Sequence, residues 1–188
     1  MKEVAIVTGA SGGIGRTISL SLGKQGYEMF LLGRDADKLE ALTTECQSLY
    51  GNATYFAGDL LDLDYLELME KTISSRRKNI SVLVNNAGIA LRGPFYESSM
   101  EEWNKIVDLN VSAALNLSRA VLPGMIDRGK GTIINISSLS GRFTSAGSAL
   151  YSATKHALNG LSGGMFEDIR GFDIKVSAIM PGYVDTDL

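Results

Sequence analysis

The run Val4-Ala5-Ile6-Val7-Thr8-Gly9-Ala10-Ser11-Gly12-Gly13-Ile14-Gly15 decides the fold. Four successive apolar residues without alternation fit a short strand covered on both faces, as in a parallel sheet. A glycine-rich turn follows at once. Ile14, Ile18 and Leu22 then recur at i, i+4 and i+8, so a helix opens directly from the turn. Amides at a helix N-terminus lack carbonyl partners, and glycine lets a pyrophosphate approach with no Cβ in the way. Gly9, Ser11, Gly13, Ile14 and Gly15 are therefore the residues expected to hold a dinucleotide. A turn that needs glycine only for its own geometry is the simpler reading, and the placement after an apolar strand favours binding.

Working outward, the same alternation repeats along the chain. Strand-like runs are Tyr27–Leu32, Thr54–Ala57, Ser81–Asn85, Gly131–Ile136 and Ile174–Met180. Between them lie helical stripes: Leu39, Leu42 and Cys46; Leu63, Leu66 and Met69–Ile73; Ala157, Leu161, Met165 and Ile169. Ser99-Met100-Glu101-Glu102 has the form of a capping box and opens a helical segment running to about Arg128. Strand–helix repetition of this kind predicts an α/β, Rossmann-type doubly wound parallel sheet with helices on both faces. No linker, repeat or low-complexity tract divides it, so residues 1–188 are expected to form one domain carrying both cofactor and catalytic sites.

Composition narrows the function classes. Lys and Arg total 18 against 21 Asp and Glu, a net charge of −3, so nothing basic advertises a nucleic acid or an anionic membrane. The single Cys46 excludes an internal disulfide framework and a thiolate metal cluster, and the single His156 excludes a multi-histidine metal site. No metal is expected. Met1-Lys2-Glu3 enters a strand-length run directly, and no apolar stretch reaches the ~18 residues of a membrane span. A cytoplasmic protein is the expectation. Glycine is in excess, at 21 of 188 residues, where about 7% is usual.

Two further stretches carry chemistry. The second strand ends in Gly33-Arg34-Asp35. An acidic residue here can accept from an adenosine ribose, whereas an arginine pairs a 2′-phosphate. Asp35 reads better as the cap of the next helix, so Arg34 tilts the cofactor towards NADP(H), with NAD(H) as the alternative. Tyr151-Ser152-Ala153-Thr154-Lys155 places a phenol and an ammonium at i and i+4 on one helical face. A cation beside a phenol favours the phenolate and so suits it to acid–base work near neutral pH. A surface Tyr–Lys pair is the bland reading of these two residues alone. His156 reads as an ordinary helix residue and Cys46 as core. Asn110 interrupts a helical run where asparagine is mildly unfavourable, and a kink held by its side chain is expected.

Taken together, Thr8–Gly15, Asp59-Leu60, Asn85-Asn86-Ala87-Gly88, Asn110, Ile136-Ser137-Ser138, Tyr151-x-x-x-Lys155 and Pro181-Gly182 occur in an order that resembles the short-chain dehydrogenase/reductase family across essentially the whole chain. The resemblance implies that Tyr151 protonates a carbonyl oxygen in reduction or takes the proton in oxidation, and that Ser138 hydrogen-bonds that oxygen. It implies that Lys155 holds the nicotinamide-ribose hydroxyls and that Asn110 holds a water in a proton relay. Asp59 and Leu60 would meet the adenine, and Asn86, Ala87 and Gly88 would line the cofactor. Pro181, Gly182, Val184 and Thr186 would pack around the nicotinamide.

The implied activity is hydride transfer between NADP(H) and a carbonyl or secondary alcohol of a small molecule, of the ketone or 3-ketoacyl reductase type. A non-catalytic dinucleotide sensor or scaffold of the same fold is the alternative, and the complete Asn110, Ser138, Tyr151 and Lys155 set weighs against it. Nucleotide-sugar epimerase or dehydratase chemistry would need a further substrate domain. The helical segments 101–128 and 148–170 resemble those that pair between subunits of a homodimer or homotetramer, with Ala113, Ala114, Ala157 and Gly160 allowing close contact. Family members normally continue past Leu188 through further helices and a seventh strand. The chain is therefore expected either to be a fragment or to lack a disordered C-terminal part, with the last strand and lid missing.

Overall fold

Each predicted strand is present, with ends within one residue of the expected positions. The computed structural model describes residues 2–185. In chain order these form β1 (Val4–Thr8), α1 (Gly13–Lys24), β2 (Glu28–Gly33), α2 (Ala36–Tyr50), β3 (Ala53–Ala57), α3 (Leu63–Ser75) and β4 (Ile80–Asn85). They continue with α4 (Met100–Val107), α5 (Ala113–Arg128), β5 (Lys130–Ile136), α6 (Ala149–Ile169) and β6 (Asp173–Ile179). The described strands pair in parallel in the order β3-β2-β1-β4-β5-β6. The chain winds outward from β1 to β3, crosses back, and winds the other way from β4 to β6. The crevice where the winding reverses lies between β1 and β4, and ligands of such sheets bind there, outside the carboxyl ends of the strands.

Two apolar layers sandwich the sheet. Ala5, Val7, Met29, Leu31, Val82 and Val84 point to one face and meet Leu39, Leu42 and Cys46 of α2 with Ile18 and Leu22 of α1. Ile6, Phe30, Leu32, Leu83 and Ile133 point to the other and meet Tyr65 and Met69 of α3, Leu117 and Val121 of α5, and Ile169 of α6. Right-handed crossovers require this division. Cys46 is core, and burial pushes its thiol pKa up.

Double coverage does not extend to every strand. β1 and β4 are buried at each position, but Ile134 of β5 is only half-buried and β6 alternates, with Ile174 buried and Lys175 and Ser177 exposed. The layer of α1 and α2 covers the β3–β4 half of the sheet and thins over β5, where Ile134 and Ile136 still pack against it, while Lys175, Ser177 and Ile179 of β6 are exposed on that face. Ile133 and Ile134 of β5 pack against opposite layers, the first fully buried and the second half-buried.

The helix predicted from the capping box starts as expected. Ser99 accepts from the Glu102 amide, and the Glu102 carboxylate accepts from the Ser99 amide. It does not run unbroken to Arg128: residues Asp108–Ser112 form one wider π-helical turn. Turns of this kind commonly mark functional positions, and Asn110 stands in the middle of it.

Glycines inside two helices separate packing from propensity. A Cβ on Gly124 of α5 would lie 2.4 Å from the Arg77 carbonyl oxygen, whereas one on Gly163 of α6 would meet nothing within 4 Å. Alanine raises helix propensity by about 1 kcal/mol over glycine, and overpacking costs about 1–3 kcal/mol. Urea unfolding should therefore show Gly163→Ala stabilised by up to about 1 kcal/mol. Gly124→Ala should be destabilised by about 1–2 kcal/mol, although the two substitutions are chemically identical.

Candidate active site

The site is built where β1 and β4 part. Thr8, the last residue of β1, accepts through Oγ1 from the amides of Asn86 (3.0 Å) and Ala87 (2.9 Å). The Asn86 amide group donates back to the carbonyls of Thr8 (3.0 Å) and Gly9 (3.1 Å). These bonds fasten the two diverging loops together. They also explain the glycines. Gly9 has φ +59°, and a Cβ on Gly15 would fall 2.1 Å from the Gly9 oxygen and 2.8 Å from Nδ2 of Asn86. The Asn86 side chain thus holds the loops, leaving backbone and the neighbouring Ala87 and Gly88 to face a ligand.

The turn opens into α1 at Gly12, which has no side-chain cap and no acidic residue in the following turn. In contrast, α2, α3 and α4 are capped by Asp35, Asp62 and Ser99, each with an acid in the first turn. The amides of Gly13, Ile14 and Gly15 are the first of a helix and lack intrahelical acceptors. An uncapped, glycine-lined helix start at the sheet's switch point fits the pyrophosphate of a dinucleotide.

Asp35 caps α2, accepting from the Lys38 amide at 3.0 Å, as the sequence predicted. Arg34 beside it is exposed and forms no ion pair among the described residues. Ser11 lies next to the end of β2, its Oγ 3.5 Å from the Cβ position of Gly33. Asp59 accepts from the Leu61 amide at 3.0 Å, fixing the loop after β3, and the Leu60 side chain is buried in the core.

Asn110 is 1% exposed and clasps the strand-end loop. Its Oδ1 accepts from the Ile89 amide (2.8 Å), while Nδ2 donates to the Ile89 carbonyl (2.9 Å) and to Thr154 Oγ1 (3.1 Å). The wider turn of residues Asp108–Ser112 turns this side chain off the helix axis and towards the site. A Cβ on Gly88 would lie 3.0 Å from Asn110 Oδ1 and 3.6 Å from Lys155 Nζ, so three of the predicted residues meet here.

Lys155 is 5% exposed, and its Nζ donates to the Ile136 carbonyl at 2.7 Å. That ammonium lies 5.6 Å from the centre of the Tyr151 ring. Ser137 donates from Oγ to the Lys155 carbonyl (3.0 Å), which ties α6 to the end of β5. Ser138, the next residue, is half-buried, and its Oγ accepts from the Ser140 amide at 3.1 Å. The structure therefore gathers Asn110, Tyr151 and Lys155 around the carboxyl ends of β4 and β5 and sets Ser138 on the loop leaving β5. Leu139 donates to the Pro181 carbonyl (2.9 Å), bringing the loops after β5 and β6 together, with Gly182 beside Leu139. Val184 is exposed, and Thr186 lies outside the described residues. His156 turns away, its Nδ1 2.8 Å from the Ser152 carbonyl. Among the described residues no group of acids, histidines or cysteines is arranged to hold a metal.

Sequence reasoning missed the residues that hold this arrangement. Asn85 donates to Asn135 (2.8 Å) and Ser118 (3.1 Å), and Asn135 donates to Ser162 (2.8 Å). This buried chain runs from α5 through β4 and β5 to α6. Polar residues at strand ends flanked by apolar ones were its available signal. Thr154 was visible only as a spacer within the Tyr151–Lys155 motif.

Burial also sets a pH dependence. Desolvation lowers the Lys155 pKa from 10.5 to about 8. Above about pH 8 the ligand-free folded protein has released this proton, whereas the unfolded chain keeps it until about 10.5. Unfolding in that window takes up a proton, so stability rises with pH, by up to about 1.4 kcal/mol per pH unit. Below pH 8 both states are charged and the contribution is flat. Urea unfolding of wild type and Lys155→Met across this window should show the extra slope in wild type alone.

Comparison with known proteins agrees with this geometry. A family model described as short chain dehydrogenase matches residues 3–188. An uncharacterized oxidoreductase of Staphylococcus saprophyticus is 36% identical over 190 residues, covering 99% of this chain and 80% of that protein. The NADP-dependent 3-hydroxy acid dehydrogenase of Shigella flexneri is 36% identical over 183 residues, covering 96% of this chain and 72% of that protein. Among solved structures, a metagenomic short-chain oxidoreductase in complex with NADP has a TM-score of 0.90 and 39% identity, covering 97% of this chain and 83% of its own. Further similar structures also hold NADP or NADPH. The match runs from the glycine turn to the residues after β6, and the chain belongs to the short-chain dehydrogenase/reductase family.

Proposed function

We propose that this chain is an NADP(H)-dependent oxidoreductase acting on a carbonyl or secondary alcohol of a small molecule, of the ketone or 3-ketoacyl reductase type. One domain carries both the cofactor cradle and the reacting groups. The observation that carries this reading is the gathering of Tyr151, Lys155 and Asn110 at the carboxyl ends of β4 and β5, beside a helix start open to an anion. NADP(H), when bound, supplies or receives the hydride.

The chain's own residues supply orientation and the proton. Gly13, Ile14 and Gly15 offer amides to the pyrophosphate, and Arg34 pairs the 2′-phosphate. Asp59 and Leu60 border the adenine. Ala87 and Gly88 line the sugar and ring side, with Pro181, Gly182 and Val184 closing it. Lys155 holds ribose hydroxyls beside Tyr151. Tyr151 donates its hydroxyl proton to the carbonyl oxygen in reduction and takes it back in oxidation. Ser138 donates a hydrogen bond to the same oxygen and steadies its developing charge. Asn110 holds a water through which Lys155 is recharged with protons.

NADP(H) is favoured because Arg34 is free to pair a phosphate and similar solved proteins hold NADP or NADPH. The neighbouring acid, Asp35, is occupied in capping α2. Exposed Leu115 on α5 and Phe166 on α6 support pairing with a second copy as a homodimer or homotetramer. Ala157 and Gly160 are exposed on α6, whereas Ala113 and Ala114 are buried in the protein's own core and serve packing there.

NADPH oxidation with a panel of ketones tests the reading. Tyr151→Phe should lower turnover by about 10²–10⁴-fold while NADPH affinity by fluorescence titration stays near wild type. Equal rates for the two proteins, with tight cofactor binding, would favour a non-catalytic sensor. Arg34→Ala should weaken NADPH binding by roughly 10- to 100-fold, as expected for one charge-assisted hydrogen bond. NADH binding should barely change.

A further inference from the structure

Asn159 lies one turn beyond Lys155, so Tyr151, Lys155 and Asn159 stand at i, i+4 and i+8 along α6. Its Nδ2 donates to the Gly141 carbonyl at 2.8 Å and reaches the Met180 sulfur at 3.6 Å. Gly141 ends the single 3₁₀ turn Leu139–Gly141 that follows Ser138. That turn is closed by the Gly141 amide donating to the Ser138 carbonyl at 2.8 Å. It is pressed hard onto α6. A Cβ on Gly141 would lie 2.6 Å from Ser137 Oγ, 2.8 Å from Asn159 Nδ2 and 2.8 Å from the Lys155 carbonyl oxygen. Met180 precedes Pro181, whose carbonyl accepts from Leu139. Asn159 therefore touches both the loop that presents Ser138 and the segment leading to Pro181.

Its other end is informative. The Oδ1 of Asn159 is buried with no hydrogen-bond partner among the described residues. An unpaired buried acceptor is destabilising, and an apolar residue of similar size would avoid that cost. A role in stability alone does not account for an amide here. The donor to Gly141 does.

We propose that Asn159 is a positioning residue for the reaction. By fixing the Gly141 carbonyl it sets the turn that aims the Ser138 hydroxyl at the substrate oxygen. This rests on the catalytic reading of Ser138 given above. Small displacements of a reacting group cost large factors in rate, up to about 100-fold for 1 Å.

The test is a double-mutant cycle of Asn159→Leu with Ser138→Ala, read in ketone-dependent NADPH oxidation alongside thermal unfolding and NADPH titration. Asn159→Leu should lower kcat by roughly 10- to 100-fold, with thermal stability and NADPH affinity near wild type. On top of Ser138→Ala it should lower the rate by less than about twofold, because the hydroxyl it aims is gone. Asn159→Asp, close in size but with an acceptor facing the Gly141 carbonyl, should reproduce the pattern if the leucine variant does not fold. Wild-type kcat in either folded variant would overturn the proposal, and so would a loss that multiplies fully with that of Ser138→Ala. A Ser138→Ala protein at the wild-type rate would overturn the catalytic reading itself, and the positioning role with it.

Discussion

The buried ammonium of Lys155, donating to the Ile136 carbonyl, is the constraint around which the site is organised. A lysine withdrawn from water is costly to keep charged, so its surroundings must hold acceptors in fixed places. The end of β5 supplies one, the Ile136 carbonyl, and the next residue, Ser137, fixes the helix by donating to the Lys155 backbone carbonyl. With α6 pinned at that level, Tyr151 one turn earlier and Asn159 one turn later are placed by helical geometry. The Asn110–Thr154 bond ties the same stretch of α6 to the π-helical turn before α5.

A second constraint acts at the switch point. Four hydrogen bonds join Thr8 and Gly9 to Asn86 and Ala87 between the ends of β1 and β4, the two strands whose loops leave in opposite directions. That clasp brings Gly9 so close to Ala87 that a Cβ there would touch its Cα at 3.0 Å. The residues proposed for the cofactor and those proposed for proton transfer thus sit on one rim because adjacent strands end there.

Much of this could be read in the residues. Unbroken apolar runs such as Val4–Val7 and Val82–Val84 marked the strands, because strands covered on both faces need apolar residues at successive positions. Ser99 and Glu102 marked a helix start because their mutual hydrogen bonds are local. Asp35 was recognised as a cap for the same reason. What escaped reading depends on contacts distant in sequence. The pairing of Asn110 with Ile89 spans 21 positions, and that of Asn85 with Asn135 spans 50. The half-open faces of β5 and β6 could not be inferred from Ile133-Ile134, since coverage depends on where α1 and α2 lie. Asn159 carries no local signal except its spacing from Lys155.

Hydride transfer at the site proposed for these residues can be followed directly. The most direct measurement uses NADPH deuterated at the transferable position of the nicotinamide, incubated with the protein and a ketone panel, with the alcohols analysed by mass spectrometry. An alcohol carrying one deuterium on its carbinol carbon, formed in step with NADPH consumption, is the expected product. Tight NADPH binding with no deuterium transferred to any ketone would contradict hydride transfer at this site.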